Sequence, residues 1–512
     1  MFRKVFFMSS CLILPLIGLG QVDLREKLDT YVQEFNQQDN EAVVHMVNNA
    51  RSAEWMKSNI PLLDVPDSAI EKVYYFRWWS YRKHIKHTPE GIIVTEFIEP
   101  VKHAARYNAI SCALGHHLYE GRWLRNSNFL KEYVDFWMYH ADKGETRPRF
   151  HQFSSWLPDA LLAYYKVEND KNYLLNRIDD LDKDLDQWEK ERQLNNGLFW
   201  QHDVKDGMEE SVSGGRRVNN MRPTINSYMY GNAAAMIELA KMAGREDLEK
   251  KYSLKAETFK KQVVDSLWDK NEHFFKTKLE DGKLHDAREA IGFIPWYFQI
   301  PPDNNHFAEA WKQVSDTAGF NAPWGLTTAE RREPTFRTRG TGHSCEWDGA
   351  IWPFATSQTL RGMANFLANY KNHAGVDHDE FYREVAKYAK SHIFDGKAYI
   401  GEYQDEKSGY WLKGDDPRSK FYNHSTYADV IIQDLIGFKP ALENEFELKP
   451  LIPEGKWDYF ALQDLRYKGH DVTIYWDKMG NRYQRGRGLM VYVDGKLVSK
   501  SNKLENLKIK LK

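Results

Sequence analysis

The stretch Arg222–Gly244, RPTINSYMYGNAAAMIELAKMAG, decides the fold class of this chain. The apolar residues that recur at the spacing of one helix face are Ile225, Met229, Ala233, Ile237 and Ala240. This period predicts a long helix rather than a strand, and Gly244 is a typical residue to end it.

The same periodic pattern recurs from Val22 to Lys439, interrupted by short segments rich in Gly, Pro, Asn and Asp. About twelve helices are predicted, with no run of alternating strands between them. They are Val22–Asn49, Asp67–His84, Ala104–Glu120, Asn126–Tyr139, Pro158–Tyr165, Asn172–Gln193, Ile225–Met242, Asp247–Trp268, Asn305–Thr317, Trp352–Asn369, His378–Ala389 and Ser425–Leu435. Such a series favours a mainly α fold, an (α/α)6 toroid of six helical hairpins over residues 21–440. A helical solenoid is the alternative, but we find no fixed repeat period.

After Pro440 the pattern changes to short segments rich in Val, Ile, Leu, Tyr and Trp, separated by turn residues. The predicted strands are Phe446–Leu448, Tyr459–Leu465, His470–Trp476, Gly488–Val493 and Leu507–Leu511. We therefore expect a small antiparallel β domain over residues 441–512.

Residues 1–20 are typical of a secretory signal peptide. Arg3 and Lys4 precede an apolar run that ends at Leu19, and Gly18 and Gly20 provide the small residues of a cleavage site before Gln21. A lipoprotein signal would use Cys11, but the apolar run continues beyond it. We expect a cleaved, secreted or periplasmic protein with no membrane span after cleavage.

The amino-acid composition argues against some classes of binding partner and favours another. Lys and Arg number 71 against 73 Asp and Glu, and no basic block occurs, which argues against nucleic acid or anionic membrane as a partner. Only Cys112 and Cys345 remain after cleavage, so no disulfide framework is expected. The 17 Trp and 28 Tyr suit sugar rings, which need stacking faces beside hydrogen-bonding groups. The oligomeric state is left open.

The segment before the long helix, Trp200–Gly215 (WQHDVKDGMEESVSGG), is called the acid loop here. It contains the four acids Asp203, Asp206, Glu209 and Glu210. Gly207, Gly214 and Gly215 disfavour regular structure, so the acids are expected on a loop that leads into a rigid helix. Catalytic carboxylates are often placed in this way, although a solvated acidic loop is the alternative.

Aromatic and polar residues cluster in four further segments. Tyr74–Ile85 contains Arg77 and Trp78, with aromatic packing in the core as the alternative, and Arg106–Arg125 contains Trp123. Thr327–Thr356 contains His343, Trp347, Asp348 and Trp352, and the segments Ala398–Trp411 and Phe421–Thr426 contain Glu402 and His424. No Cys and His set has zinc spacing, so we predict no catalytic metal and no cofactor.

Acid and base catalysis is the chemistry that these residues favour. No G-x-S-x-G nucleophile motif and no phosphate-binding Gly-rich motif occurs. Two carboxyl groups suffice to cleave a glycosidic bond, because one protonates the leaving oxygen and the other activates water. Two rival functions remain. One is a polysaccharide lyase with Tyr228, Tyr230, His343 or His424 as its base, and the other is a non-catalytic carbohydrate-binding protein.

In combination, the acid loop, the RPTINSYMYG helix start, the segment EWDGAIWP and the spacing from Glu402 to Gly409 resemble a known group. This group is the (α/α)6 glycoside hydrolases that include trehalases, processing α-glucosidases and mannosylglycerate hydrolases, and the resemblance is closest to the mannosylglycerate-hydrolase-like domain. It implies an inverting and often exo-acting glycosidase.

The resemblance also implies roles for individual residues. The family's acid motif falls on Asp206–Ser211 and makes Glu209 the general acid, with Asp206 or Glu210 as the substitute because the family usually has Asp here. Its base motif falls on Glu402, and its sugar-binding loop falls on Trp347–Pro353. Arg222, Tyr228 and Tyr230 on the following helix are further expected sugar contacts.

Overall fold

The computed structural model describes residues 23–143, 150–338 and 345–511. The predicted signal peptide, residues 1–20, and the predicted site residue His343 lie outside the described residues.

Helices are the main regular elements of the described residues as far as residue 435. They are α1 (Leu24–Gln37), α2 (Ser52–Asn59), α3 (Ser68–Tyr81), α4 (Leu114–Gly121), α5 (Phe129–Asp135, continued by a π-helical turn Phe136–His140), α6 (Leu157–Glu168), α7 (Lys171–Leu175), α8 (Ile178–Arg192), α9 (Pro223–Ala243), α10 (Glu246–Leu267), α11 (Ile294–Tyr297), α12 (Asn305–Ala308), α13 (Pro353–Asn369), α14 (His378–Lys390) and a π-helix Val430–Leu435.

The helices pack as consecutive hairpins around one core. The long pair α9 and α10 lies side by side, α6 packs on α4 and α9, and α14 packs on α13 and α3. Gly115 on α4 allows close packing, because a Cβ atom there would lie 2.0 Å from the buried ring of Trp156. The predicted helical toroid is thus confirmed as the fold class.

Several predicted helices are shorter or divided, and for three of them the geometry supplies a reason. The first helix ends at Gln37, and Asp39 beyond it accepts hydrogen bonds from Lys83 and Lys420. The helix predicted from Ala104 begins only at Leu114, because Tyr107 and Asn108 have positive φ angles of 59° and 69°. The pattern 172–193 is divided into α7 and α8, where Arg177 pairs with Asp135 at 2.6 Å.

Strands dominate after residue 437, with shorter ones between the helices. They are β1 (Leu62–Asp64), β2 (Ile85–Thr88), β3 (Gly91–Val94), β4 (Trp268–Asp269), β5 (Phe274–Phe275), β6 (Asn321–Ala322), β7 (Gly325–Leu326), β8 (Ile393–Phe394), β9 (Lys397–Ala398), β10 (Phe438–Pro440), β11 (Glu445–Leu448), β12 (Tyr459–Tyr467), β13 (His470–Asp477), β14 (Gly488–Val493), β15 (Lys496–Ser501) and β16 (Leu507–Lys510).

Two antiparallel sheets form the C-terminal region, where a small antiparallel β domain was predicted. One has the strand order β1-β12-β13-β14-β15 and the other β10-β11-β16. The sequence did not indicate β15, because this edge strand is largely exposed and lacks the alternating apolar residues of its neighbours. The division into domains at residue 440 stays a prediction.

The β sheet is attached to the helical region through β1. Leu63 of β1 pairs with Leu462 of β12, and the buried Asp64 accepts hydrogen bonds from Arg482 at 2.8 Å and Tyr483 at 2.7 Å. The two regions therefore share a hydrogen-bonded sheet as well as apolar packing. Among the described helices, none is long and apolar enough to cross a membrane.

Candidate active site

A cavity of about 330 Å³ lies where the loops before α4 and α13 meet the acid loop. Glu209, Glu402 and Glu96, far apart in sequence, line the same cavity. Other lining groups are the cations Lys205, Arg216, Lys413 and Arg418, the rings of Phe97, Phe153, Trp352, Phe354, Tyr422, His103 and His424, and the thiols of Cys112 and Cys345. The toroid thus brings three carboxyl groups, an aromatic wall and several cations to one place.

Glu209 is positioned by a tightly folded acid loop. A short 3-10 turn, Asp203–Lys205, precedes it, and Gly207 has a φ of 72° and packs so closely on Cys112 that a Cβ atom would lie 2.3 Å from the sulfur. Among the described residues, no side chain forms a hydrogen bond or an ion pair with the Glu209 carboxyl group. Burial raises the pKa of Glu209 to about 7, and the charges of Glu402 and Asp203 act in the same direction.

Glu402 lies in a contrasting environment. Its side chain is 3% exposed, and its two oxygens pair with Lys413 and Arg418, each at 2.9 Å. Both cations come from the loop that follows Trp411, so this loop sets the orientation of the carboxylate. Both carboxyl oxygens of Glu402 are thus held by ion pairs at the edge of the cavity.

Glu96 is a third acid of the cavity, and sequence reasoning did not single it out. It follows β3 and accepts a hydrogen bond from the hydroxyl group of Tyr422. Burial raises the pKa of Glu96 to about 8, with contributions from the charges of Glu209 and Glu402. The one available signal was an acid inside the apolar run from Ile92 to Ile98, which is typical of a buried carboxyl group.

The predicted residues Trp352 and His424 line the cavity. Trp352 stacks between Trp347, with ring centroids 4.6 Å apart, and Tyr403, with centroids 4.7 Å apart. Trp347 is therefore a second layer behind Trp352, and Asp348 beside it pairs with Arg337 at 3.0 Å. Both faces of the Trp352 ring are therefore covered, and only its edge is left to contact a ligand.

A family model described as the mannosylglycerate hydrolase MGH1-like glycoside hydrolase domain matches residues 106–425, more than half of the 512 residues. The chain belongs to this family. A second model, described as the C-terminal domain of glycosyl hydrolase family 65, matches residues 441–499. The resemblance inferred from the sequence motifs is confirmed, and the chain is a member of a glycosidase family.

Several solved structures are similar to this chain. One named Sialidase is 46% identical with a TM-score of 0.92; the alignment covers 95% of this chain but only 45% of that longer chain. A GH78 rhamnosidase of a Bacillus species has 9% identity and a TM-score of 0.58, and covers 85% of this chain and 41% of that one. A GH63 mannosylglycerate hydrolase of Thermus thermophilus in complex with glucose has 12% identity and a TM-score of 0.51. Its alignment covers 70% of this chain and 98% of that one. The last two likenesses show the fold alone.

In this member of the family, Asp206 lies outside the cavity. Its side chain is fully buried, pairs with Arg222 Nε at 2.7 Å and accepts a hydrogen bond from Ser154. Arg222 is the residue before α9, so the ion pair attaches the acid loop to the start of that helix. Both residues were predicted to act in catalysis or sugar binding, and the structure instead places them in a structural pair. Glu210, the other substitute acid, pairs with Arg337.

Three further predicted sugar contacts are corrected, because their side chains are buried in the helical core. Arg77 donates hydrogen bonds to the Ser425 carbonyl at 2.7 Å and to the Tyr388 hydroxyl at 3.2 Å. Trp78 has no exposed surface, and Trp123 donates from Nε1 to Asp429 at 2.7 Å. These rings and this cation join helices to each other and do not line the cavity.

Tyr228 and Tyr230 also lie away from the cavity lining. Tyr228 is buried against Trp156, and its hydroxyl accepts a hydrogen bond from Gln358 at 2.6 Å. Tyr230 is partly buried at the edge of the core. In residues 23–143, 150–338 and 345–511, no group of three His, Cys, Asp or Glu side chains could hold a metal ion.

Breaking the Asp206–Arg222 pair is expected to destabilise the fold more than it impairs the chemistry. D206N leaves a buried guanidinium without its counter-charge, a change that typically costs about 3–5 kcal/mol. Urea unfolding of D206N should show this loss. E210Q, which disrupts a partly exposed pair in the same loop, should change stability by about 1 kcal/mol or less. A folded D206N protein with no turnover would return Asp206 to the list of acids.

Proposed function

We propose that this chain hydrolyses a glycosidic bond of an oligosaccharide or polysaccharide by an inverting mechanism, with Glu209 as general acid and Glu402 as general base. The observation that carries the proposal is the contrast between two carboxyl groups at one cavity. Glu209 has a raised pKa and no side-chain partner among the described residues, whereas Glu402 lies between two cations. Opposed environments of this kind assign acid and base roles to paired carboxyl groups.

The proposed reaction is a single displacement. Glu209 donates its proton to the leaving glycosidic oxygen as the bond from that oxygen to the anomeric carbon breaks. Glu402 accepts a proton from the water that forms the new bond on the opposite face of the ring. The products are two sugars, with Glu209 ionised and Glu402 protonated until solvent exchange restores them. An inverting enzyme needs its carboxyl groups roughly 6.5–9.5 Å apart to admit that water.

The shape of the cavity supports action at a chain end. Its volume of about 330 Å³ is near the lower limit for small-molecule sites, which is in keeping with one or two sugar rings rather than a long chain. Phe97 and Phe354 offer apolar surface, and the charged groups around them offer hydrogen bonds to hydroxyl groups. We therefore propose exo action.

A lyase needs a Tyr or His base at the site. Of Tyr228, Tyr230 and His424, the three candidates within the described residues, His424 lines the cavity and the two tyrosines do not. Burial holds the pKa of His424 well below its usual range, which makes the ring a weak base. The positions of the carboxyl groups favour hydrolysis over elimination.

The test is a proton NMR time course of the protein from Gln21 onward with a panel of plant and algal oligosaccharides. We expect the released sugar to be seen first as the anomer opposite to that in the substrate. First release of the same anomer would contradict inversion. A product with ultraviolet absorbance from a double bond would establish a lyase, and shifted sugar signals without any product would establish a binding protein.

Export is proposed from the basic and apolar pattern of residues 1–20. When the full chain is expressed in a bacterium with a Sec pathway, mass spectrometry of the periplasmic fraction is expected to find a mature protein that begins at Gln21. A full-length protein confined to the cytoplasm would contradict the proposal. An N-terminus at Cys11 with attached lipid would establish the lipoprotein alternative.

A further inference from the structure

Glu96 has one carboxyl oxygen in use and one without a partner. Its side chain is 4% exposed, and one oxygen, Oε1, accepts the hydrogen bond from the Tyr422 hydroxyl. The other, Oε2, is buried without a hydrogen-bond partner among the described residues, although Glu96 lines the same cavity as Glu209 and Glu402. Burying an unpaired carboxyl oxygen is unfavourable, so such an atom in a binding cavity points to a ligand that completes it.

The backbone around Glu96 holds this oxygen in place. The Glu96 carbonyl accepts a hydrogen bond from the Asn423 amide at 2.9 Å, and the Tyr422 amide donates to the Ile400 carbonyl at 3.2 Å. Phe97 packs on the Tyr422 ring, with centroids 4.5 Å apart. The segment that carries Glu96 is thus connected through Tyr422 to the segment that carries Glu402. Preorganisation of this kind is what a site needs to recognise one particular group.

We propose that Glu96 is a specificity-determining residue, whose Oε2 forms a hydrogen bond with one hydroxyl group of the sugar ring bound beside Glu209 and Glu402. The inference rests on the proposed function, because it names a contact to the substrate of that same site. Tyr422 is the positioning residue, since its hydroxyl group orients the Glu96 carboxyl group from the other oxygen.

This role has a specific consequence for substrate choice. A site built to hydrogen-bond a substrate hydroxyl group rejects the analogue that lacks it, because the buried polar group of the site is then left without a partner. Loss of Glu96 should therefore remove discrimination at one ring position and leave discrimination at the other positions unchanged. A residue that only maintained the fold would lower activity on every analogue alike.

The experiment measures kcat/KM for the substrate identified by NMR and for each of its monodeoxy derivatives. The enzymes are wild type, E96A, E96Q, Y422F and the control E384Q. Glu384 is a suitable control because it is also a buried glutamate with one unpartnered oxygen, but it lies on α14 and does not line the cavity. We expect wild type to reject one monodeoxy derivative by about 10²-fold or more. The discrimination ratio is kcat/KM for the parent sugar divided by kcat/KM for the derivative. E96A should reduce that ratio at least tenfold at that position alone.

E96Q and Y422F should reduce the same ratio less than E96A, and E384Q should leave it unchanged. Equal losses by E96A on the parent sugar and on every derivative would overturn the inference. If E96A does not fold, E96Q decides the question by the same ratio.

Failure of the proposed function gives a different result. If wild type hydrolyses no member of the panel, binding of the free monosaccharide and its monodeoxy derivatives is compared by saturation-transfer NMR for wild type and E96Q. If removal of one hydroxyl group selectively weakens binding by wild type, and this selectivity is reduced in E96Q, Glu96 has this role in a protein that binds without cleaving. Identical binding profiles for the two proteins overturn it.

Discussion

Replacing Glu402 with glutamine is expected to lower kcat by at least about 10²–10⁴-fold, the range attributed to a general base, with little change in sugar binding. The amide has the size of the carboxyl group but cannot accept a proton from water. Turnover should be measured by product release, and sugar binding by saturation-transfer NMR with the same oligosaccharide.

Because E402Q also removes the counter-charge of Lys413 and Arg418, its thermal unfolding must be recorded beside its activity. E406Q is the matched control, since Glu406 is a buried glutamate four residues away that does not line the cavity. E406Q should retain most of the wild-type turnover. Retention of more than a tenth of it by folded E402Q would remove Glu402 from the role of base.

Replacing Glu209 with glutamine is expected to give the second-largest loss, and the size of the loss should depend on the leaving group. A natural sugar leaving group needs protonation, so its hydrolysis should slow by about 10²–10⁴-fold. A dinitrophenyl glycoside of the same sugar leaves as a stable anion without protonation. Its hydrolysis by E209Q should remain within about tenfold of wild type. Equal losses on both substrates would show that Glu209 does not donate the proton.

The pH profile gives a second test of Glu209. The general acid must be protonated, and burial raises the pKa of Glu209 to about 7. On the natural substrate, wild-type kcat/KM should therefore fall as the pH rises through about 7, and the residual activity of E209Q should lack this basic limb. D206N, the neighbour on the same loop, should keep the limb. If the basic limb disappears in D206N but persists in E209Q, the general acid is Asp206 and not Glu209.

The candidate site shows where sequence patterns are informative. Glu209 and Glu402 were singled out because each lies in a motif of acids, glycines and aromatic residues, and the structure brings both to one cavity. Trp352 and His424 were found in the same way. Asp206 and Arg222 belong to the same motif as Glu209, yet they form a buried pair beside the cavity. Spacing along a loop does not indicate which of its side chains turn inward.

The sequence by itself determined the helical periodicity, the change to short strands after residue 440 and the position of the acids on loops. Each of these features depends on residues that are near neighbours in the chain. Only the tertiary structure decided that Glu96, more than 100 residues from either of the other acids, shares their cavity. It also decided that Arg77, Trp78 and Trp123 are core residues, since an aromatic or a cation beside polar residues has the same local pattern in a core and in a pocket. Contacts of this kind arise from the closure of the toroid, which brings together segments that no local spacing relates.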